Sequence, residues 1–180
     1  AVIPNLLMYK GSVVVLDIKG ENWEVAGVRR ADLSYRGGGK SFTFAPWQES
    51  YTEPDCWNPF DLLSDDPEDA WEDARAMAEL LIIHEGANDK FWVDEARNFL
   101  TGVILYVHQF CPPEKRTIAE VRNLLTQGKE EFEVFVMGDM GESENPQVKK
   151  SANMFLAAED KVKSNITSTL NSQMGIWDSQ

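Results

Sequence analysis

Apolar residues follow two different patterns along the chain, and the change falls near residue 62. At residues 12–18 the string SVVVLDI is a continuous valine-rich run bounded by glycines. Such a run is typical of a strand buried on both faces of a sheet. Residues 21–33 have helical character, and SFTFAP at residues 41–46 alternates like a second short strand. The first third of the chain is therefore predicted to be a strand–helix–strand piece of an α/β fold.

From residue 67 onward, apolar residues recur every three or four positions, which is the period of amphipathic helices. Start signals agree with this period, because Asp66 precedes Pro67 and a capping box begins at Thr117. We expect Trp92 and Phe99 to lie in the core, since they share one face of a long central helix. The pattern predicts helices over residues 67–85, 89–110, 117–127, 129–138, 147–158 and 159–174.

The charge is strongly and unevenly negative. The whole chain carries a net charge of -13, and the counts give -2 for residues 1–62 and -11 for residues 63–180. An acidic surface repels phosphate backbones, so direct DNA binding is disfavoured and a basic partner is favoured. The two cysteines and two histidines lack metal-ligand spacing, so no metal site is predicted. No apolar run is long enough for a membrane span.

The string GGGKSFTF, which contains Gly39-Lys40-Ser41, resembles the end of a phosphate-binding loop. That motif needs a glycine five positions earlier and a helix afterwards, whose N-terminal amides hold the phosphates. Ser34 occupies the first position, and the predicted strand at residues 41–46 follows the motif. We therefore interpret this stretch as a glycine turn and predict no ATP binding there.

Asp17 closes the valine-rich run, and Lys19 and Glu21 follow it. Ligands of open α/β sheets bind outside the carboxyl ends of strands, where a carboxylate can hold a magnesium-bound water. A carboxylate at this position is about as often a helix cap. Both uses of Asp17 stay open on these residues alone.

The longer string VIPNLLMYKGSVVVLDIKGENWE, at residues 2–24, closely resembles the coupling ATPases of type IV secretion and conjugation systems. Further strings resemble that family in the family's order, and together they cover almost the whole chain: FTFAPW at 42–47, CWNPFDLL at 56–63, FWVDEARNFLTGVILYV at 91–107, TIAEVRNLL at 117–125 and KVKSNITSTLNSQMGIWDS at 161–179. In the family, a phosphate-binding loop precedes the first string and a second acidic motif follows the last. Neither is present, so we expect a piece of a longer protein.

The resemblance implies a mainly α fold, a helical bundle attached to a strand–helix–strand piece of a P-loop-type α/β domain. Residues 1–62 would be the edge of the nucleotide-binding domain without its phosphate-binding loop, and residues 63–180 the all-α substrate-receptor domain. Asp17, Lys19 and Glu21 would lie at the periphery of the nucleotide site. The longer protein would be a hexameric translocation ATPase that uses ATP and magnesium at the cytoplasmic face of the inner membrane. The chain itself is expected to need no cofactor and to be catalytically silent.

The resemblance also implies partners, namely effector secretion signals, relaxase–DNA complexes and other secretion-system components. A solvated helix face explains most acidic runs, and the helix dipole explains the cluster at residues 65–73. The stretch at 137–147 is polar and is expected to be mobile. We therefore choose acids outside that cluster, in the acidic run and in the stretch expected to be mobile. The candidate substrate-binding residues are Glu130, Glu131, Glu133, Glu142 and Glu144.

Two other functions remain possible on the sequence. A nucleotide-binding enzyme fragment could use Asp17 without a phosphate-binding loop, and binding of Mg-ATP by the chain would favour it. A helical DNA-binding domain is the other alternative, which the acidic charge of residues 63–180 argues against.

Overall fold

The computed structural model describes residues 2–32, 40–45, 55–84 and 90–178. The chain divides into two compact units, residues 1–57 and residues 58–180. The predicted boundary at residue 62 lies close to this division. Part of the glycine-rich turn, including Gly39, lies outside the described residues.

The described residues of the first unit contain two helical segments. Helix α1 spans Val2–Met8, and a π-helical turn over Trp23–Gly27 continues directly into helix α2 at Val28–Ala31. The Arg30 guanidinium donates hydrogen bonds to the carbonyl of Leu6 at 2.7 Å and to those of two residues beyond α1. The last carbonyls of a helix lack partners within the helix, so this arginine stabilises the end of α1.

The two predicted strands are not formed in the described residues. Residues 12–17 and 40–45 have no regular secondary structure, and Val14 and Leu16 are 103% and 89% exposed. A strand is held by hydrogen bonds to neighbouring strands, and the described part of the chain supplies no neighbour. The described residues are therefore mainly helical and lack the sheet edge that the pattern predicts.

The second unit is helical, and all six predicted helices are confirmed within a few residues at each end. The bounds are α3 at Pro67–Leu81, α4 at Lys90–Phe110, α5 at Ile118–Leu125, α6 at Lys129–Val134, α7 at Pro146–Ala157 and α8 at Asp160–Met174. Helix α6 continues as a π-helical segment over Phe135–Met140. Single 3-10 turns occupy Pro59–Leu62, Pro113–Lys115 and Gly175–Asp178.

The helix starts follow the capping residues of the sequence. The Asp66 side chain accepts a hydrogen bond from the Glu68 amide at 2.9 Å, and the Thr117 hydroxyl accepts one from the Glu120 amide at 3.2 Å. The Thr117 amide donates instead to the Lys115 carbonyl at 2.8 Å. That amide is therefore already paired, and the hydroxyl bond is the half of the predicted capping box that the structure contains.

Helix α4 is the central helix and packs against α3, α5, α7 and α8. Helix α3 presents three fully buried alanines at four-residue spacing, Ala70, Ala74 and Ala78, and such small side chains let two helices approach closely. Phe99 is buried as predicted, but the prediction for Trp92 is wrong, because this side chain is only half-buried. The first turn of α4 already reaches the core through Val93, which is 3% exposed, whereas Trp92 packs edge-on against the exposed Phe91 with the ring centroids 4.9 Å apart.

Helices α4 and α7 approach most closely at Gly102. A methyl group built on Gly102 would overlap the Cβ and Oγ atoms of Ser151 and lie 3.3 Å from Met140 Cε. The Ser151 hydroxyl donates to the Asn98 carbonyl at 3.0 Å. Beside this contact, the rings of Phe99 and Phe155 stack at 4.3 Å. Gly102 therefore allows the backbones to meet at a point where the core is otherwise aromatic.

The two ends of the helical unit are fixed near helix α5. The Asn58 side chain donates to the carbonyl of Arg116, just before α5, at 2.7 Å. At the other end, the buried Arg122 of α5 binds both carboxylate oxygens of Asp178, at 2.7 and 2.8 Å. A third guanidinium nitrogen of Arg122 donates to the Asn171 side chain at 2.7 Å. This bidentate pair holds the last 3-10 turn against α5.

Candidate functional site

Asp17 serves as a helix cap in the structure. Its two carboxylate oxygens accept hydrogen bonds from the Asn22 side chain and from the Trp23 amide, both at 2.9 Å. Lys19 and Glu21 are exposed on either side of Gly20, which has a φ of 77°. Of the two uses weighed for Asp17, the cap is the one that its contacts display, and its place at the edge of a nucleotide site remains a prediction.

The residues after the lysine of GGGKS provide no phosphate site. Residues 40–45 contain no helix, so no helix N-terminus follows Ser41 to hold phosphates. Each oxygen of Asp17 accepts one hydrogen bond from its own helix, and the described residues of the first unit supply no phosphate-binding helix N-terminus after Ser41.

The five predicted acidic residues do not form one cluster. Glu131 accepts a hydrogen bond from the Gly128 amide at 3.0 Å and thereby caps α6. Glu133 pairs with Lys129, and Glu142 pairs with Lys149, each at 3.9 Å. The expected mobile stretch is anchored, because the Asn145 amide group donates to Gln109 at 2.6 Å and Met140 is fully buried. Glu130 and Glu144 are exposed.

Some of these acidic residues line a groove that also has apolar walls. The groove lies between helix α5 and the α6–π segment, which is α6 together with its π-helical continuation. We call it the acidic groove; its volume is about 430 Å³. Val134 contributes an aliphatic side chain that is 68% exposed. The groove is lined by Leu124, Gln127, Glu130, Glu131, Val134, Phe135 and Asp139. Three of these residues are carboxylates and none is basic, so the groove favours a cation that carries apolar atoms.

The charge of Asp139 faces an apolar wall. Burial raises the pKa of the Tyr106 phenol, and the negative charge of Asp139 raises it further. Burial is also the main reason why the pKa of the Cys111 thiol is raised, and Asp139 adds to this rise. Among the described residues, neither Asp139 nor Glu130 forms an ion pair. The groove therefore keeps at least two carboxylates free for an incoming partner.

The sequence reasoning missed Asp139 because of the π-helical segment. Glu130 and Asp139 are nine residues apart, which is about two and a half turns of an α-helix and would place them on opposite faces. The i to i+5 hydrogen bonds of the segment Phe135–Met140 change this rotation and bring Asp139 to the lining of the groove. The sequence of residues 129–140 contains no pattern that predicts a π-helical segment.

A second groove lies between helices α3, α4, α7 and α8, and its volume is about 260 Å³. Its walls include Trp71, the stacked Phe99 and Phe155, and Met154. Glu95 and Lys150 also line it, so its charges are of both signs. This aromatic groove has no net preference for a charged partner.

The described residues offer no metal-binding cluster of three or more histidine, cysteine or acidic side chains. In that same part of the chain, no helix is both long and apolar enough to cross a membrane.

Comparison with known proteins gives a match over the whole chain. The family model described as Type IV secretory system Conjugative DNA transfer matches residues 1–180. The chain is 29% identical over 180 residues to the protein VirD4 of Agrobacterium fabrum and 30% identical over 179 residues to VirD4 of Rhizobium radiobacter, with 98% of the chain covered. It is 25% identical over 185 residues to a conjugal transfer protein TraG of Escherichia coli.

The chain spans about a quarter of the length of these curated relatives, 25% of the VirD4 proteins and 28% of TraG. No solved structure matches it significantly.

Proposed function

Because the chain belongs to the Type IV secretory system Conjugative DNA transfer family, we propose that residues 58–180 are the substrate-receiving domain of a type IV coupling protein. The observation that carries this proposal is the charge of -11 on residues 63–180 beside nearly neutral residues 1–62. A compact, acidic helical unit without a metal cluster in its described residues suits recognition of basic protein segments. The cargo would be effector proteins or a relaxase bound to DNA.

The first unit is proposed to be the edge of a nucleotide-binding domain in the longer protein. Support comes from the apolar residues 13–18, because a row of exposed valine, leucine and isoleucine side chains is costly unless a sheet covers it. Strands contributed from outside residues 1–180 would pair with this segment. Asp17, Lys19 and Glu21 would then border the ATP and magnesium site, and Asp17 would keep its helix-capping contacts.

The chain alone is proposed to be catalytically silent. Phosphoryl transfer needs backbone amides and a lysine around the phosphates, and residues 40–45 offer no helix terminus for them. In the longer protein, which we propose to be a hexamer at the cytoplasmic face of the inner membrane, the missing groups would come from the rest of the nucleotide-binding domain. Magnesium-dependent ATP turnover by the purified chain, lost in Asp17→Ala, would overturn this part and favour the enzyme alternative.

Calorimetric titration of the chain with purified effector proteins and with a relaxase tests the receptor proposal. We expect affinities in the micromolar range, about -8 kcal/mol, since a receptor must release its cargo. Binding should weaken as salt is raised, because exposed charges are screened. Absence of binding to every cargo protein would overturn the receptor proposal, and retention on duplex DNA at physiological salt would favour the DNA-binding alternative.

A further inference from the structure

We propose that the acidic groove between α5 and the α6–π segment is the docking site for a basic, amphipathic segment of the cargo protein. This inference rests on the proposed receptor function. It adds the location of the binding site and the two contacts that would bind the segment, one apolar and one ionic. An apolar side chain of the segment would enter beside Leu124 and Val134. A neighbouring lysine or arginine would lie between Glu130 and Asp139.

The groove has the composition that such a segment requires. Its apolar part is Leu124, Val134 and Phe135, and its charged part consists only of carboxylates. An arginine or lysine has an aliphatic stem and a charged end, so it can cover the exposed Val134 while its charge reaches Asp139. A purely polar cation would leave the aliphatic floor in water, and an apolar segment without charge would desolvate the carboxylates.

Two other acids of the predicted set have a basic neighbour. Glu133 lies 3.9 Å from Lys129 and Glu142 lies 3.9 Å from Lys149, so part of their negative charge is already balanced where a basic partner would approach. Glu130 and Asp139 have no such competitor among the described residues. The structure thus divides the acidic residues of the region into two groups that differ in availability.

Asp139 lies close to the aromatic side chains behind the groove. After burial, its charge is the next cause of the raised pKa of Tyr106, whose ring packs edge-on against Phe135 with the ring centroids 5.3 Å apart. Asp139 is itself exposed, so an incoming cation can reach its carboxylate without displacing a protein group.

The experiment uses short, amidated peptides as probes and measures their affinity for the chain by fluorescence anisotropy. In the main probe arginine alternates with leucine; in the other two, arginine alternates with serine and glutamate with leucine. The arginine–leucine peptide should bind more tightly than either control peptide, because it alone provides both parts. Chemical-shift mapping should locate it at the amides of Leu124, Gln127 and Asp139.

Charge-reversal variants separate the groove from the general charge of the chain. Glu130→Arg and Asp139→Arg should each weaken the arginine–leucine peptide by about tenfold. The matched control Glu133→Arg changes the net charge equally on the same helix and should change affinity by less than about twofold. Glu131 and Phe135 are left unchanged, because one caps α6 and the other is buried. Val134→Ser should weaken the arginine–leucine peptide more than the arginine–serine peptide, because the first loses the contacts of both the leucine and the arginine stem and the second only those of the stem.

Three results would overturn the docking site. One is equal weakening by Glu130→Arg and Glu133→Arg, which would mean that overall charge drives binding. The second is the absence of arginine–leucine binding, and the third is chemical-shift changes confined to the aromatic groove around Trp71. If cargo proteins bind Asp139→Arg as tightly as the unaltered chain, the receptor proposal is retained and the docking site in the acidic groove is refuted. If no cargo protein binds the unaltered chain, both fall.

Discussion

Replacing Gly102 by alanine tests the closest approach of α4 and α7. Two opposing effects determine the outcome. Alanine in the middle of a helix is favoured over glycine by about 1 kcal/mol. Against this, the new methyl group would overlap Ser151 at both Cβ and Oγ and would press on Met140 Cε at 3.3 Å. Because Ser151 Cβ is attached directly to the α7 backbone, it cannot move away without shifting the helix.

The cost of the steric overlap should exceed the gain in helix propensity. Overpacking of a well-packed core costs about 1–3 kcal/mol, and a shift of α7 would also disturb the stacked Phe99 and Phe155 rings. Because the overlapping Ser151 Cβ cannot rotate away, the overpacking cost lies in the upper part of this range, about 2–3 kcal/mol, so Gly102→Ala should lower the free energy of unfolding by about 1–2 kcal/mol net of the helix-propensity gain. Urea unfolding followed by circular dichroism measures this difference as a lower midpoint at an unchanged slope.

A matched control and a rescue pair make this prediction specific. Gly138→Ala adds the same methyl group at a position with no atom within 4 Å, so it should not destabilise the chain. Combining Gly102→Ala with Ser151→Gly should recover part of the loss, whereas Ser151→Ala should recover less, because the overlapping Cβ remains. If Gly102→Ala proves as harmless as Gly138→Ala, the close packing of α4 on α7 is refuted.

Three further predictions concern the core, the acid limit and a helix end. Phe99→Ala should destabilise the chain by about 3–5 kcal/mol, and Trp92→Ala by clearly less in the same urea assay, since Trp92 is only half-buried. The hydrogen bond from Arg122 lowers the pKa of Asp178. The stabilisation by this pair is therefore present above the ordinary carboxyl pKa and is lost as the pH falls through the lowered pKa. In melting curves between neutral and acidic pH, the melting temperature of Asp178→Asn should fall less steeply with decreasing pH than that of the unaltered chain. Arg97→Ala removes two hydrogen bonds to the carbonyl at the end of α3 and should cost about 1–3 kcal/mol in thermal melts, with Arg97→Lys recovering part of it.

The helical half was predictable from the sequence because its signals are local. Caps at Asp66 and Thr117 and the three-to-four spacing in α4 depend on neighbours within two turns, and the structure follows them. Core membership was less predictable at the margin of the apolar face. Trp92 lies one residue before the buried Val93, so the bundle reaches this turn, but Trp92 is on the margin of the buried face and packs against Phe91 instead.

The remaining features depend on partners that a sequence pattern does not specify. The valine-rich run at residues 12–18 has a strand pattern, yet a strand exists only beside another strand, and the described residues contain none. For the site, Glu130 belongs to the predicted substrate-binding acids and lines the groove, whereas Asp139 lines it without having been predicted. Its position depends on the π-helical segment, which changes the rotation that an α-helical period assumes.

The fixation of Asn58 and Asp178 beside the same short helix has a consequence for how the unit is connected to its chain. Arg116 and Arg122, which hold the two ends, are separated by less than two helical turns. The unit of about 120 residues therefore has both of its ends beside one short helix. Because neighbouring ends span a short gap whatever the number of residues between them, such a unit can be joined at both ends to another domain without stretching either connection.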